Sequence, residues 1–140
     1  PQTVWSATPV YANGTLYLGT PFYRILALDP ATGAERWSYD SQSRLEALTQ
    51  PALKNRGVAY WESGRDGPCE RRVLLGTMDA ELHAVDADTG LPCEEFGEGG
   101  VLNVNQWNDV NDVFPFSLLQ PPTVVGDTIF IGWSGMDWEY

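Results

Sequence analysis

The stretch that decides the fold is residues 17–33, YLGTPFYRILALDPATG, because it recurs 57 residues later as residues 74–90, LLGTMDAELHAVDADTG. Seven of the seventeen positions are identical. They are Leu18 and Leu75, Gly19 and Gly76, Thr20 and Thr77, Ala27 and Ala84, Asp29 and Asp86, Thr32 and Thr89, and Gly33 and Gly90. Similarity of a sequence to itself at a fixed spacing is typical of a repeat architecture. We therefore take about 57 residues as one structural unit.

A third copy begins near the end, where residues 126–132 (GDTIFIG) are similar to residues 13–19 (NGTLYLG). We divide the sequence into units of approximately 8–56 and 57–120, with 121–140 as the start of a third. No window shows a convincing 3.6-residue period over three turns, so no helix is predicted.

Within a unit, short runs of aromatic and branched residues alternate with turn residues, which is the pattern of strands. The predicted strands are 15–19, 25–29 and 35–39 in the first unit, and 57–61, 72–76 and 82–86 in the second. Repeats of roughly fifty residues with about four short antiparallel strands are typical of propeller blades. We therefore predict an all-β fold with about two and a half blades of a β-propeller. The alternative is a β-sandwich whose hairpins are similar by accident.

Length sets a condition on this fold. Propellers need about four to eight blades to close, whereas 140 residues divided by 57 give only about 2.5 units. We expect either part of a larger protein or a piece that associates with something else to cover its blade faces.

The turn at residues 27–37 has the form A-x-D-x-x-T-G-x-x-x-W. The carboxylate of Asp29 is expected to accept backbone N–H bonds from the turn, Pro30 presets φ, and Gly33 is suited to a positive φ. Trp37 follows on the next strand, where its ring can be buried between blades if its N–H finds an acceptor.

Charge excludes one class of partner. The sequence has 19 acidic and 8 basic side chains and a formal net charge of −11, so it lacks the clustered lysines and arginines that nucleic acid requires. No apolar run approaches the roughly twenty residues that span a bilayer, and no leader opens the sequence. We expect a soluble segment from which any export signal has been removed.

The turn motif resembles the tryptophan-docking repeat of the eight-bladed quinoprotein dehydrogenases, which use pyrroloquinoline quinone (PQQ) with a divalent cation. The likeness is greatest to the periplasmic domain of the quinoprotein glucose dehydrogenases. It is carried by residues 6–9 (SATP), 15–37, 56–60 (RGVAY), the region of Cys69, 86–93 (DADTGLPC) and 96–102 (FGEGGVL). The resemblance implies an eight-bladed ring of which this sequence forms the N-terminal third.

The resemblance also implies cofactor-binding residues. Arg56 matches an arginine that contacts the oxygens and carboxylates of PQQ, a task that suits a planar and permanently charged fork. Residues 131–137 (IGWSGMD) are similar to the I-G-S-S-G-A-E segment of methanol-oxidising members. This similarity would place Ser134 and Gly135 beside the cofactor and make Asp137 one of several oxygen ligands of Ca²⁺.

Three positions depart from the family pattern. Ser6 stands where the family has Glu or Gln near the quinone, Ala52 where glucose-oxidising relatives have His, and Leu119 where alcohol-oxidising relatives have Thr. The vicinal cysteine pair of the alcohol-oxidising members is also absent. We keep Ser6 as a candidate cofactor residue, and the departures leave the substrate open between a sugar and an alcohol.

Cys69 and Cys93 are the only cysteines, and both match positions in the glucose dehydrogenase branch. An even count in an acidic chain that resembles exported proteins indicates a disulfide, and two separate buried thiols are the alternative. Zinc is not expected, because two Cys and one His lack the spacing of a zinc site. His83, the only histidine, is expected to be a partly exposed structural residue.

The function that the resemblance implies is oxidation of a glucose-like aldose or an alcohol in the periplasm, with any membrane attachment supplied by parts outside this chain. In the family, Ca²⁺ acts as a Lewis acid on a carbonyl of PQQ, an Asp takes the substrate's hydroxyl proton, and hydride passes to the quinone. A quinone or a cytochrome would then accept the electrons. We expect no catalytic residue in this chain, because the Asp base belongs to later blades. The alternative is a propeller without cofactor that serves as a binding or assembly scaffold.

Overall fold

The computed structural model describes residues 2–43, 52–107 and 117–132. These residues form twelve strands and one 3-10 turn (Val104–Trp107), and they contain no helix long and apolar enough to cross a membrane. The strands are β1 (Gln2–Thr8), β2 (Val10–Ala12), β3 (Thr15–Gly19), β4 (Arg24–Leu28), β5 (Glu35–Asp40), β6 (Ala52–Gly57), β7 (Ala59–Glu62), β8 (Arg71–Gly76), β9 (Glu81–Asp86), β10 (Val101–Asn103), β11 (Thr123–Val125) and β12 (Thr128–Phe130).

The strands form two antiparallel four-stranded sheets. The first sheet has the order β2-β3-β4-β5, the second β7-β8-β9-β10, and β11 and β12 form a third antiparallel hairpin. A separate parallel pair, β1 with β6, joins the segments that lead into the first two sheets. The described residues therefore contain two complete blades and the start of a third, which confirms the predicted propeller architecture.

Of the six predicted strands, 15–19 has the same bounds in the structure, three others are one residue longer than predicted, and two differ for a local structural reason. The strand expected at 25–29 ends at Leu28, because Asp29 uses its side chain to build the following turn. The strand expected at 57–61 is two strands. Gly57 ends β6 at φ 139°, and β7 begins at Ala59.

The repeated turn has the same hydrogen bonds in both copies. The Asp29 carboxylate accepts the N–H and O–H of Thr32, both at 3.0 Å, and the Asp86 carboxylate accepts the same groups of Thr89, both at 2.9 Å. The glycine that follows each threonine, Gly33 or Gly90, has a φ of 73° or 74°, which a residue without Cβ adopts at little cost. The identities between the units therefore mark one turn built twice.

The two sheets are joined by an aromatic contact across the blades. Trp37 donates its indole N–H to the carbonyl of Ala87 at 3.1 Å, and Tyr17 donates its hydroxyl to the same carbonyl at 3.0 Å. The Trp37 ring lies against Gly90, where an added Cβ would be 2.6 Å from a ring carbon. Trp37 therefore lies between the blades with its N–H bonded, as expected, but its side chain is half-buried and not fully buried.

Burial of the second sheet explains its composition. Val73, Leu75 and Val85 face the first sheet, whereas Leu74 and Leu82 face the third hairpin. Because both faces are covered, β8 and β9 are almost continuously buried, whereas β3 alternates between buried and half-buried residues. The second sheet thus has the environment of an internal blade.

Gly19 and Gly76, which correspond in the repeat, both make room for the segment that follows the blade. A Cβ on Gly76 would lie 2.6 Å from Leu118 Cβ and 2.8 Å from the Leu118 carbonyl oxygen, and one on Gly19 would collide with Asn55. Replacement of Gly76 by alanine is therefore expected to lower the free energy of unfolding by about 1–3 kcal/mol. Urea unfolding of the protein measures this change. Gly132→Ala is the control, because no atom of the residues that the structure describes lies within 4 Å of its added Cβ, and an equal effect of both would contradict the prediction.

The carboxylates of the two repeated turns make the stability of the fold depend on pH. A hydrogen bond from Arg36, followed by those from Thr32, lowers the pKa of Asp29 to about 2. Burial alone would raise the pKa of Asp86, but hydrogen bonds from the N–H of Cys69 and from Thr89 outweigh it and hold that pKa below its ordinary value.

Because both pKa values are lower in the folded state, the stability they contribute is present above about pH 4 and is lost as the pH falls through the folded values. We expect the difference in Tm between wild type and Asp86→Asn to be largest above pH 5 and to shrink toward pH 2. Thermal unfolding across this range tests it, and a difference that grows in acid would contradict it.

Candidate cofactor site

The candidate site lies on the parallel pair of β1 and β6, next to the first strands of the two sheets. Each strand of the pair leads into one sheet, β1 into β2 and β6 into β7, and β2 and β7 approach each other. We call this region the inner edge. Ser6 on β1 and Arg56 on β6, which were predicted separately, both lie here.

The register of the pair brings Ser6 opposite Arg56. Trp5 pairs with Asn55, and Thr8 pairs with Gly57. Two residues of β1, 6 and 7, therefore lie opposite the single residue Arg56 of β6, which is the arrangement of a β-bulge. Such bulges are over-represented next to active sites. Both Ser6 and Arg56 are exposed.

Arg56 differs from the other arginines in its partners. The structure describes six arginines, and five of them pair with a carboxylate. These pairs are Arg24 with Asp40, Arg36 with Asp29, Arg65 with Glu70, Arg71 with Asp88, and Arg72 with Glu95. Within the three described ranges, Arg56 has no such partner, although acidic residues outnumber basic ones by 19 to 8. Its guanidinium is therefore available to an anionic ligand.

The backbone of β6 is held in place on several sides. The N–H of Arg56 donates to the carbonyl of Leu119 at 3.1 Å. Asn55 is buried, accepts the N–H of Gly57 at 2.9 Å and donates to the carbonyl of Gly76 at 3.5 Å. Tyr23, fully buried, donates its hydroxyl to the carbonyl of Lys54 at 3.0 Å. A site on such a fixed strand keeps its geometry better than one on a loop.

Leu119 brings a third segment to the inner edge through its backbone. Its side chain is half-buried and packs against the core between the first two sheets. Gly57 of β6 lies between β1 and the segment that contains Leu119. A Cβ added to Gly57 would be 2.9 Å from the Thr8 oxygen and 3.9 Å from Pro121 Cβ. Where alcohol-oxidising relatives are expected to have a threonine contact, this chain therefore has a packing residue.

The other predicted site residues stay predictions. Ser134, Gly135 and Asp137 lie outside the described residues, so the cofactor contacts and the calcium ligand assigned to them are untested. Ala52 begins β6, four residues before Arg56.

The structure corrects the expectation for His83. This residue is buried, with 2% of its surface exposed, and not partly exposed. Its Nδ1 lies 2.9 Å from the Tyr39 hydroxyl and its Nε2 lies 3.1 Å from Glu81. Burial lowers the pKa of its imidazole more than Glu81 raises it. The neighbouring first sheet supplies Tyr39 and covers the ring, which inspection of one strand could not show.

Cys69 and Cys93 form the predicted disulfide, so their sulfurs are not free to bind a metal.

A cavity of about 630 Å³ lies between the second sheet and the third hairpin, and is lined by Trp61, Arg72 and Phe96 among others. Neither Ser6 nor Arg56 lines it.

Sequence reasoning missed the parallel pair itself. Residues 52–57 (ALKNRG) contain no aromatic or β-branched residue, so their composition does not predict a strand. The alternation of Lys54 and Arg56, two residues apart, was the only local signal of one.

Two curated relatives resemble nearly all of the chain. The glycerol dehydrogenase large subunit of Gluconobacter oxydans (strain 621H) is 36% identical over 95% of this chain and 18% of the relative. The quinoprotein glucose dehydrogenase of Escherichia coli (strain K12) is 34% identical over 93% of this chain and 17% of the relative. The chain thus spans less than a fifth of the length of these relatives.

Solved structures give the same result for the fold. The quinohemoprotein alcohol dehydrogenase from Comamonas testosteroni superposes with a TM-score of 0.72 at 27% identity, over 96% of this chain and 18% of that chain. BamB from Moraxella catarrhalis has a TM-score of 0.62 at 20% identity, over 91% of this chain and 34% of that chain, and shares the fold alone. The family model described as the glucose/ethanol/alcohol dehydrogenase β-propeller domain of PQQ proteins matches residues 1–140. Together with the blades, this match shows that the chain belongs to the PQQ-dependent dehydrogenase β-propeller family.

Proposed function

We propose that this chain is part of a longer PQQ- and Ca²⁺-dependent dehydrogenase that oxidises a sugar or an alcohol in the periplasm. The observation that carries the proposal is Arg56, an exposed guanidinium opposite Ser6 on a fixed strand, without a carboxylate partner among the described residues. Family membership supplies the identity of the ligand. The disulfide agrees with an oxidising compartment.

The inner edge fits the chemistry of PQQ, which presents carboxylates and quinone oxygens. The planar fork of Arg56 can donate two parallel hydrogen bonds to one carboxylate, and the hydroxyl of Ser6 can donate or accept one more. When bound, PQQ supplies the electron acceptor for the oxidation, and the divalent cation supplies a Lewis acid. The role of this chain's residues is to bind and orient the cofactor.

The remaining assignments are part of the same proposal. Ser134 and Gly135 would line the cofactor, and Asp137 would supply one oxygen ligand to Ca²⁺. The proton acceptor would come from another blade, and a quinone or a cytochrome would receive the electrons. Further blades would also cover Leu16 and Leu18, two half-buried side chains on one face of β3.

The substrate class is a sugar, such as a glucose-like aldose, or an alcohol that includes polyols. This range follows the relatives, which are named for glycerol, glucose and alcohol oxidation. Ala52 and Leu119 stand where the two branches have characteristic polar residues, so neither branch is selected.

The test is reconstitution of the full-length protein with PQQ and Ca²⁺, followed by dye reduction over a panel of aldoses, primary alcohols and glycerol. Omission of PQQ and chelation of Ca²⁺ with EGTA are the controls. We expect reduction only with both added. A folded protein that binds no PQQ would overturn the proposal and favour the scaffold class.

A further inference from the structure

Within the described ranges, one lysine and one arginine have no carboxylate partner, and both lie on β6. Lys54 and Arg56 are two residues apart on β6, and the other five described arginines are all paired. Residues i and i+2 of a strand lie on one face, about 7 Å apart along the chain. Two like charges are thus placed side by side at the inner edge.

The residue between them fixes which face this is. Asn55 is buried, and its side chain lies against Gly19 and donates to the carbonyl of Gly76. Since neighbouring side chains of a strand point to opposite faces, Lys54 and Arg56 are turned away from the core. Lys54 is half-buried and Arg56 exposed.

This arrangement has an electrostatic consequence. Adjacent like charges on one strand face repel each other, and an anion between or across them removes the repulsion and gains from both. The carbonyl of Lys54 is fixed by Tyr23 and the N–H of Arg56 by Leu119, so the origins of both side chains are held before a ligand arrives.

We propose that Lys54 is a second cationic contact for the PQQ molecule that Arg56 binds, and that its ammonium group pairs with a carboxylate of the cofactor. The inference rests on the proposed function. It adds a binding residue outside the R-G-V-A-Y motif, on the same strand face as the arginine of that motif.

The test is a titration of the full-length apoprotein with PQQ in the presence of Ca²⁺. Quenching of tryptophan fluorescence reports the bound fraction and gives the Kd. Lys54→Met keeps the length and removes the charge, and it should raise Kd about tenfold, the value of one charge-assisted hydrogen bond. Lys54→Arg should stay within about threefold of wild type. The effect of Lys54→Met should shrink at high salt, which screens exposed charges.

Arg24→Gln is the matched control, because it removes one exposed positive charge that is already paired with Asp40. If Lys54→Met binds PQQ as tightly as wild type, or if Arg24→Gln loses as much affinity, the contact is overturned while PQQ binding stands. If wild type binds no PQQ, the proposed function fails, and this inference with it. Thermal unfolding checks the fold of each variant, and Lys54→Gln replaces Lys54→Met if that variant is unstable.

Discussion

Replacement of Arg56 by methionine is expected to raise the Kd for PQQ of the full-length protein by about 100-fold, or roughly 2.7 kcal/mol. The guanidinium is exposed, lies opposite Ser6 in the bulge of β1, and has no carboxylate partner within the described residues. A bidentate, charge-assisted pair with a carboxylate is lost in this variant, and such hydrogen bonds are among the strongest in proteins. Fluorescence titration of the apoprotein with PQQ measures the change.

Two variants make this result specific. Arg56→Lys keeps the charge but loses the planar fork, so an intermediate loss of about tenfold is expected. Arg36→Met removes an arginine that pairs with Asp29 at 2.8 Å in a surface turn, and it should leave the Kd unchanged. If Arg56→Met bound PQQ like wild type, Arg56 would not be a cofactor residue.

Replacement of Trp37 by alanine is expected to lower the free energy of unfolding by about 3 kcal/mol. The variant loses the ring packed on Gly90, the contact with Tyr17 at a centroid distance of 5.9 Å, and the hydrogen bond to Ala87. Replacement of a buried tryptophan by alanine costs about 3–5 kcal/mol of stability. Because Trp37 is half-buried, we expect the lower end of this range. Urea unfolding, followed by far-UV circular dichroism, measures it.

The matched control is Trp107→Ala, because Trp107 is 60% exposed and should change stability by less than about 0.5 kcal/mol. Trp37→Phe should lie between the two, since it keeps an aromatic ring and loses the hydrogen bond, worth about 1 kcal/mol. Equal stabilities of the two alanine variants would contradict the role of Trp37 as the tie between the blades.

The repeated turn could be predicted from the sequence because its bonds are local. Asp29 bonds to Thr32, and Asp86 to Thr89, three residues on in each case. The docking of Trp37 was predicted from the same motif, since a large ring on the strand after the turn can lie between blades when its N–H finds an acceptor. Ser134, Gly135 and Asp137 remain predictions.

The burial of His83 and the strand β6 depended on tertiary contacts. His83 is covered by Tyr39, 44 residues away, and β6 exists because it pairs with β1 about fifty residues earlier. No pattern within residues 52–57 specifies that pairing.

The amino-acid sequence alone therefore determined the blade repeat, its turns and the single candidate arginine, because these depend on residue types at short spacing. Only the tertiary structure decided that Ser6 lies opposite Arg56 and that Lys54 shares its face. The physical reason is that a parallel register is set by backbone hydrogen bonds between distant segments, which leave almost no trace in side-chain type.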